Sequence, residues 1–396
     1  MRITKVDVVL IEEMPEDNPA WSPVVCRVYT DEGIYGDGEA AMSYGHPSRG
    51  AFGAVQDYAR LVIGKDPLQS EKIWEDLYKG TFWGQNGGPV VFAAISALDV
   101  ALWDIKGKYF NAPVYQLLGG KCRDSLRCYA SQLQFGWGDR KTPAYTISEY
   151  VENANRAVDE GYDAVKYDFF TYDEEGGQFT YRQTNGLLPP RLTDLVRRRV
   201  EAVRDAVGPD VDIIMENHSN IDAQGAMQLG KLVEPYNLFY YEEPCTPTPR
   251  LTKLVHDNVR IPISQGERVY SRWQYAEYFA NGSVQLIQPD LGNCGGLTEG
   301  KKICDMAHVF DVGVQVHVCS SPLLTAAALQ LECVIPNFVI HEHHVYNRFD
   351  YNKRLCVHDY QPENGRYSVP DLPGIGNELS EYVFEHGEVA TIGQAL

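Results

Sequence analysis

The chain has 396 residues, 44% of them hydrophobic, which is enough apolar material for a large core and for two or three domains of roughly 150 residues each. Its formal net charge of −19 argues against nucleic acid or an anionic membrane as partners, since both require clustered basic surface. An anionic substrate must then be attracted locally, by a metal or a few cations.

Nine cysteines, an odd count without CxxC or zinc-type spacing, point to reduced thiols in a cytoplasmic protein. Cys319, two residues past His317, reads as a buried structural thiol. The opening MRITKVDVVLIEE is too short and too charged for a signal peptide. The longest apolar stretch, 90–103, is interrupted by Asp99 and falls short of the roughly 20 residues of a membrane span.

In chain order, residues 3–11 and 24–39 read as strands, the second stretch folding back at Asp31-Glu32-Gly33, where Gly supplies a positive φ. The proline-rich MPEDNPAWSP between them is a loop. Helices follow over 50–63, 67–79 and 89–107, the last with Phe92, Ile95, Leu98, Leu102 and Ile105 in the three-four spacing of a buried stripe. Strands first and helices after suggest an α+β domain that ends near Gly119-Gly120. From Leu126 strands and helices alternate, with strands near 127, 163, 212, 238, 262, 286, 314 and 338. A parallel eight-stranded barrel is the simplest closed form of such a series. A polar insertion over 173–190 interrupts it early, and the tail reads as loops with one edge strand.

Glu216, Glu242, Glu267, Asp290, His317 and Glu342 each close a short apolar run, at successive intervals of 26, 25, 23, 27 and 25 residues. That is the period of a strand, a helix and two loops, so these side chains fall at strand ends around one mouth. Residues i and i+2 of a strand share a face, which sends Lys166 with Asp168, and Glu216 with His218, into the mouth. Tyr167, Asn217 and Glu243, one position on, turn away. Neighbouring strands lie about 4.8 Å apart, so Glu216, Glu242 and Glu267 can converge on one hard cation, Mg²⁺, beside an Asp and a His suited to proton transfer. A single strand-end acid could equally cap a helix or pair with a lysine, but five in phase with the barrel period could not readily do so. His341, His343 and His344 flank Glu342 without the helical HExxH spacing, so no zinc site is expected there.

The motifs GGPVVFAAISALDVALWDIKGK, LLGGK, YEEP, GE, PDLGNCGG, GLTEGKKI, VQVHVCSSP and VPDLPGIG together resemble the enolase superfamily, in its mandelate racemase branch, and most closely acid-sugar dehydratases related to D-galactonate dehydratase. The resemblance implies an α/β fold, a modified TIM barrel (β/α)7β over 126–367, with an α+β capping domain built from 1–125 and the returning segment 368–396. It implies one Mg²⁺ per subunit on Glu216, Glu242 and Glu267, and a general-base pair of His317 oriented by Asp290. His218 matches a general acid, and Glu342 matches a protonated donor to the substrate carboxylate. Lys166 shares the developing charge, and Asp168, Trp21 and His46 join the substrate contacts. The loop 14–23 and Tyr44-Gly45-His46 are expected to close over the sugar, Trp83 to sit in the core, and Arg268 to support the metal shell or anchor a helix.

Three departures bear on function. The second-strand Lys-x-Lys of the racemases is Lys166-Tyr167-Asp168 here, which removes one base of a two-base racemase. Glu216 stands where most relatives have Asp, and the 173–190 insertion has no assigned counterpart. The resulting expectation is Mg²⁺-dependent dehydration of a sugar acid, preferably an aldonate, to a 2-keto-3-deoxy acid by a homo-oligomer. The alternatives are a one-base epimerase or cycloisomerase, and a non-catalytic metabolite-binding barrel.

Overall fold

β1 (Ile3–Leu10), β2 (Val24–Thr30) and β3 (Tyr35–Ala40) form an antiparallel meander in the computed structural model, which describes residues 1–12, 21–45 and 47–394. Gly33, at φ 79°, turns the β2–β3 hairpin. The C-terminal strand Glu388–Gly393 pairs antiparallel with β1 and completes a four-stranded sheet, so the two ends of the chain share one layer. Three helices pack with it: α1 (Ser48–Val62), α2 (Ser70–Tyr78) and α3 (Pro89–Tyr109). Pro89 begins α3, where its missing N–H costs nothing. α3 lies directly on β3 because Gly36 and Gly38 lack side chains: a Cβ at Gly38 would stand 1.9 Å from the Ala97 carbonyl oxygen.

The second layer system is the barrel. Its strands are β4 (Ser125–Ser131), β5 (Ala164–Tyr167), β6 (Asp212–Glu216), β7 (Tyr240–Glu242), β8 (Ile263–Gln265), β9 (Leu286–Ile287), β10 (Gly313–Val314) and β11 (His341–His344). All pair in parallel, and β11 lies beside β4. A bridge between Val314 and Phe338 closes the ring. Each of the first seven strands leads to a helix, namely α4 (Ile147–Asp159), α5 (Pro190–Val207), α6 (Ala223–Val233), α7 (Pro249–His256), α8 (Ser271–Asn281), α9 (Gly296–Val309) and α10 (Pro322–Glu332). β11 is followed by the short turns Val345–Arg348 and Asp350–Lys353 in place of a long helix, and then by Arg366–Ser368, which pairs antiparallel with β4. The last strand lies later than its apolar run suggests, because Phe338 contributes a single bridge and regular pairing begins at His341. The 173–190 insertion contains one helical turn, Tyr181–Thr184.

Buried polar contacts lock the cap onto the barrel. Asp99 of α3 accepts hydrogen bonds from the N–H and hydroxyl of Thr298 at 2.9 and 2.6 Å. Trp74 donates to the Gly295 carbonyl at 2.9 Å, and Glu39 accepts from the Ser321 N–H at the start of α10 at 3.0 Å.

Candidate active site

The barrel axis is built in tiers. Tyr129, Ala164, Ile214, Tyr240, Leu286 and Ile340 form an apolar floor. Two residues past Ala164, on the same face, Lys166 rises above that floor and is buried. Its Nζ lies 3.1 Å from Glu216, 2.9 Å from Glu242 and 2.9 Å from Glu342. Burial works against the ammonium, but these three carboxylates more than offset it and hold its pKa well above the ordinary lysine value.

Above Lys166, carboxylate oxygens of Glu216, Glu243 and Glu267 all lie within 4.8 Å of one another. Glu243, expected to turn away, therefore stands with Glu216 and Glu267 in the place expected for Glu242. Glu242 pairs in register with Glu216 and faces the axis, where Lys166 engages it. Glu243 has a left-handed backbone, φ 41°, which breaks strand alternation and carries its side chain over to the Glu216–Glu267 side. Arg268 ties the group together, bonding Glu243 and approaching Glu267 at 3.1 Å, which favours the metal-shell alternative for this residue over a helix anchor. Glu216, Glu242 and Glu243 each keep one buried oxygen with no hydrogen-bond partner. Burial and Glu216 push Glu242 up to about 8, and burial with Glu267 raises Glu243 too. Three carboxylates this close, with buried oxygens of Glu216 and Glu243 left without a hydrogen-bond partner, are a donor set that fits a hard cation such as Mg²⁺.

Two His–Asp pairs flank these acids. His317 Nδ1 meets Asp290 at 2.6 Å while Nε2 lies 3.1 Å from Glu267 and 4.0 Å from Glu342. His218 Nδ1 meets Asp168 at 3.0 Å while Nε2 lies 3.4 Å from Glu216. Asp168, expected among the substrate contacts, is thus engaged with His218. Burial lowers both imidazole pKa values, yet the acids win: Glu216 and Asp168 raise His218 to about 9, and Glu267 and Asp290 hold His317 well above its ordinary value. At Glu342 burial favours the protonated form, while Lys166 and His317 lower its pKa. It accepts hydrogen bonds from Ser131 at 2.6 Å and the Val318 N–H at 3.0 Å.

These groups open into a cavity of about 620 Å³ whose cap side is formed by Ala41, Met42, Tyr44, Pro47 and Pro89. Trp21 does not line it: it is 0% exposed, bridged to Tyr44 and packed edge-on against Tyr346 at 5.0 Å. Trp83, expected in the core, is 76% exposed, because the turn after α2 carries it outward beside Phe82. His46 and residues 13–20 lie outside the described residues. Two supporting residues escaped the sequence reading, Gln132, which donates to Glu216 at 2.5 Å, and Gln134, which donates to Gln132; His344, weighed there only as a zinc ligand, lines the cavity. Extending the strand-end period back to the first barrel strand would have reached the glutamines.

Acidic side chains and imidazoles gathered at the C-terminal mouth of a capped parallel barrel define a TIM-barrel enzyme. The chain belongs to the enolase superfamily, in its mandelate racemase branch: residues 149–383 match the enolase C-terminal domain-like family, and residues 19–119 match the mandelate racemase / muconate lactonizing enzyme N-terminal domain. D-galactonate dehydratase of Pectobacterium atrosepticum is 33% identical over 96% of this chain and 93% of its own length. The enzyme of the same name from Variovorax paradoxus is 32% identical over 93% and 91%. A crystal structure of a provisionally named dehydratase from Zymomonas mobilis ZM4 superposes with a TM-score of 0.96 at 49% identity, covering 99% of this chain and 100% of that one. A member of the enolase superfamily from Salmonella Typhimurium gives 0.94 at 48%, covering 99% of each. No helix among the described residues is long and apolar enough to cross a membrane.

Proposed function

We propose that the chain is a hydro-lyase that dehydrates a sugar acid, an aldonate rather than an aldarate, to its 2-keto-3-deoxy acid with the help of Mg²⁺. The observation that carries this reading is the pair of imidazoles on opposite sides of one mouth, His317 after β10 and His218 after β6, each with its own carboxylate. Elimination needs a base at C2 and an acid at C3, and two separately tuned groups serve those tasks.

His317 is assigned the C2 proton. Asp290 fixes its Nδ1, so Nε2, which meets Glu267 at 3.1 Å in this structure, is the nitrogen that takes it. His218, whose Nδ1 is held by Asp168, is the general acid and gives a proton to the departing 3-hydroxyl, which leaves as water. The electron pair of the broken C2–H bond becomes the new double bond, and the enol tautomerises to the keto acid. Lys166 supplies fixed positive charge beside the developing ene-diolate. Mg²⁺ would be held by Glu216, Glu267 and one of the two adjacent glutamates, Glu243 as the carboxylates stand or Glu242 if Lys166 releases it, and would supply Lewis-acid stabilisation of the substrate carboxylate. The charge on Glu267 that raises His317 is the charge a cation takes up, which fits His317 to act as a base in the loaded enzyme.

The aldonate preference follows from the walls. Away from the acids and their partners, the described lining is neutral, with Tyr44, Thr171, Gln178, Asn220, His344 and Tyr346. The cation in the lining, Arg268, is engaged by Glu243 and Glu267, so the described residues offer no counter-charge to a second substrate carboxylate. A panel of aldonic and aldaric acids with Mg²⁺, scored for keto acid by semicarbazide, should give product from aldonates only, and His317→Asn should abolish it. Turnover of diacids alone would overturn the preference, and a C2 epimer without keto acid would replace dehydration with epimerisation.

A further inference from the structure

We propose that His344 is a specificity-determining residue, donating a hydrogen bond from Nε2 to a sugar-acid hydroxyl beyond C3. The inference rests on the sugar-acid reading above. His344 stands two residues past Glu342 on β11, so both side chains use the inner face and His344 lies about 6.6 Å nearer the mouth. That is comparable to the span from a sugar acid's carboxylate, set beside Lys166 by the reading above, to its distal hydroxyls. His344 lines the cavity, with the Tyr346 ring edge-on to it at 4.6 Å.

Backbone geometry fixes its tautomer. The Tyr346 N–H donates to His344 Nδ1 at 3.1 Å, so Nδ1 carries a lone pair and the proton resides on Nε2. Among the described residues Nε2 has no hydrogen-bond partner. Burial, helped by Lys166 and His317 and opposed by Glu342, holds the imidazole down to about 3, so it stays neutral at any working pH. A neutral donor at fixed height recognises a hydroxyl oxygen and takes no part in the proton transfers below it.

The two hydrogen-bonding roles of His344 can be separated by substitution. Asparagine places an oxygen where Nδ1 stands, which keeps the contact to the Tyr346 N–H but loses the reach of Nε2. Glutamine restores the reach. Binding of D-galactonate, D-gluconate and three-carbon D-glycerate is measured by calorimetry on the full-length, Mg²⁺-loaded protein carrying His317→Asn to stop turnover. His344→Asn should weaken the two six-carbon acids by about tenfold, the scale of one hydrogen bond, leave glycerate unchanged and keep the parent melting temperature. His344→Gln should recover most of the loss. An equal change for all three acids, or no change for any, overturns the proposal. Glycerate bound with neither six-carbon acid by the parent protein overturns it while leaving a sugar-acid site. Failure of the parent to bind any of the three defeats the sugar-acid reading and this one together.

Discussion

Asp168 does for His218 what Asp290 does for His317: each carboxylate takes Nδ1 and leaves Nε2 toward the cavity. The His218 backbone sits in the left-handed region, φ 46°, and among the described residues the charged imidazole is otherwise met by Glu216 at 3.4 Å. Asp168→Asn keeps the shape and removes the charge that helps raise His218 to about 9. A general acid works while protonated, so activity is lost as pH rises through its pKa. The alkaline limb of the kcat profile should therefore move to lower pH in the variant, with kcat reduced by roughly 10²-fold, the lower range for a misplaced acid, and KM changed little. A variant profile that overlays the wild-type one would assign Asp168 to scaffolding alone.

At the scale of elements, backbone approach decides more than side-chain chemistry. β3 and α3 touch because Gly36 and Gly38 present bare backbone to Ala101 and Ala97, where a Cβ would fall 2.2 and 1.9 Å from a carbonyl oxygen. Gly38→Ala should push α3 off the sheet and destabilise the cap by at least ~2 kcal/mol, seen as a lowered thermal midpoint or loss of soluble protein. A midpoint equal to wild type would show that the layers have slack. The same distinction explains what was legible in the sequence. The barrel strands from β6 onward announced themselves because each leads to a residue in phase with the strand-helix period, and apolar runs mark their bodies. Glu243 was illegible because strand alternation sends it away, and only a left-handed backbone, invisible in residue types, brings it back. Trp21 and Trp83 exchanged their expected places for a related reason. A lone aromatic in a loop carries no periodicity, so only packing, such as Trp21 against Tyr346, determines which one is covered.

Across the whole molecule, the barrel mouth and the cap enclose more negative charge than they neutralise. Among the described residues, Glu216, Glu242, Glu243, Glu267, Glu342, Asp168 and Asp290 face Lys166, Arg268, His218 and His317, seven acids against four cations, an excess of three if all ionise. Without a metal, part of that excess is relieved by proton uptake, as the raised Glu242, at about 8, and Glu243 record. Mg²⁺ should displace those protons, because it stabilises the ionised carboxylates that burial disfavours. The sign is fixed. A carboxyl raised to about 8, as Glu242 is, holds its proton at pH 7 without the metal and loses it when the ion binds beside it, so binding releases protons and affinity rises with pH, by up to tenfold per unit for each proton released. The effect should fade above about 8, where Glu242 ionises without help. Calorimetry at pH 7 in buffers of different ionisation enthalpy reads the proton count directly, and chelation should lower the melting temperature in the same preparation. Mg²⁺ binding with no proton release between pH 6 and 8 would mean that the ion sits elsewhere than among these carboxylates.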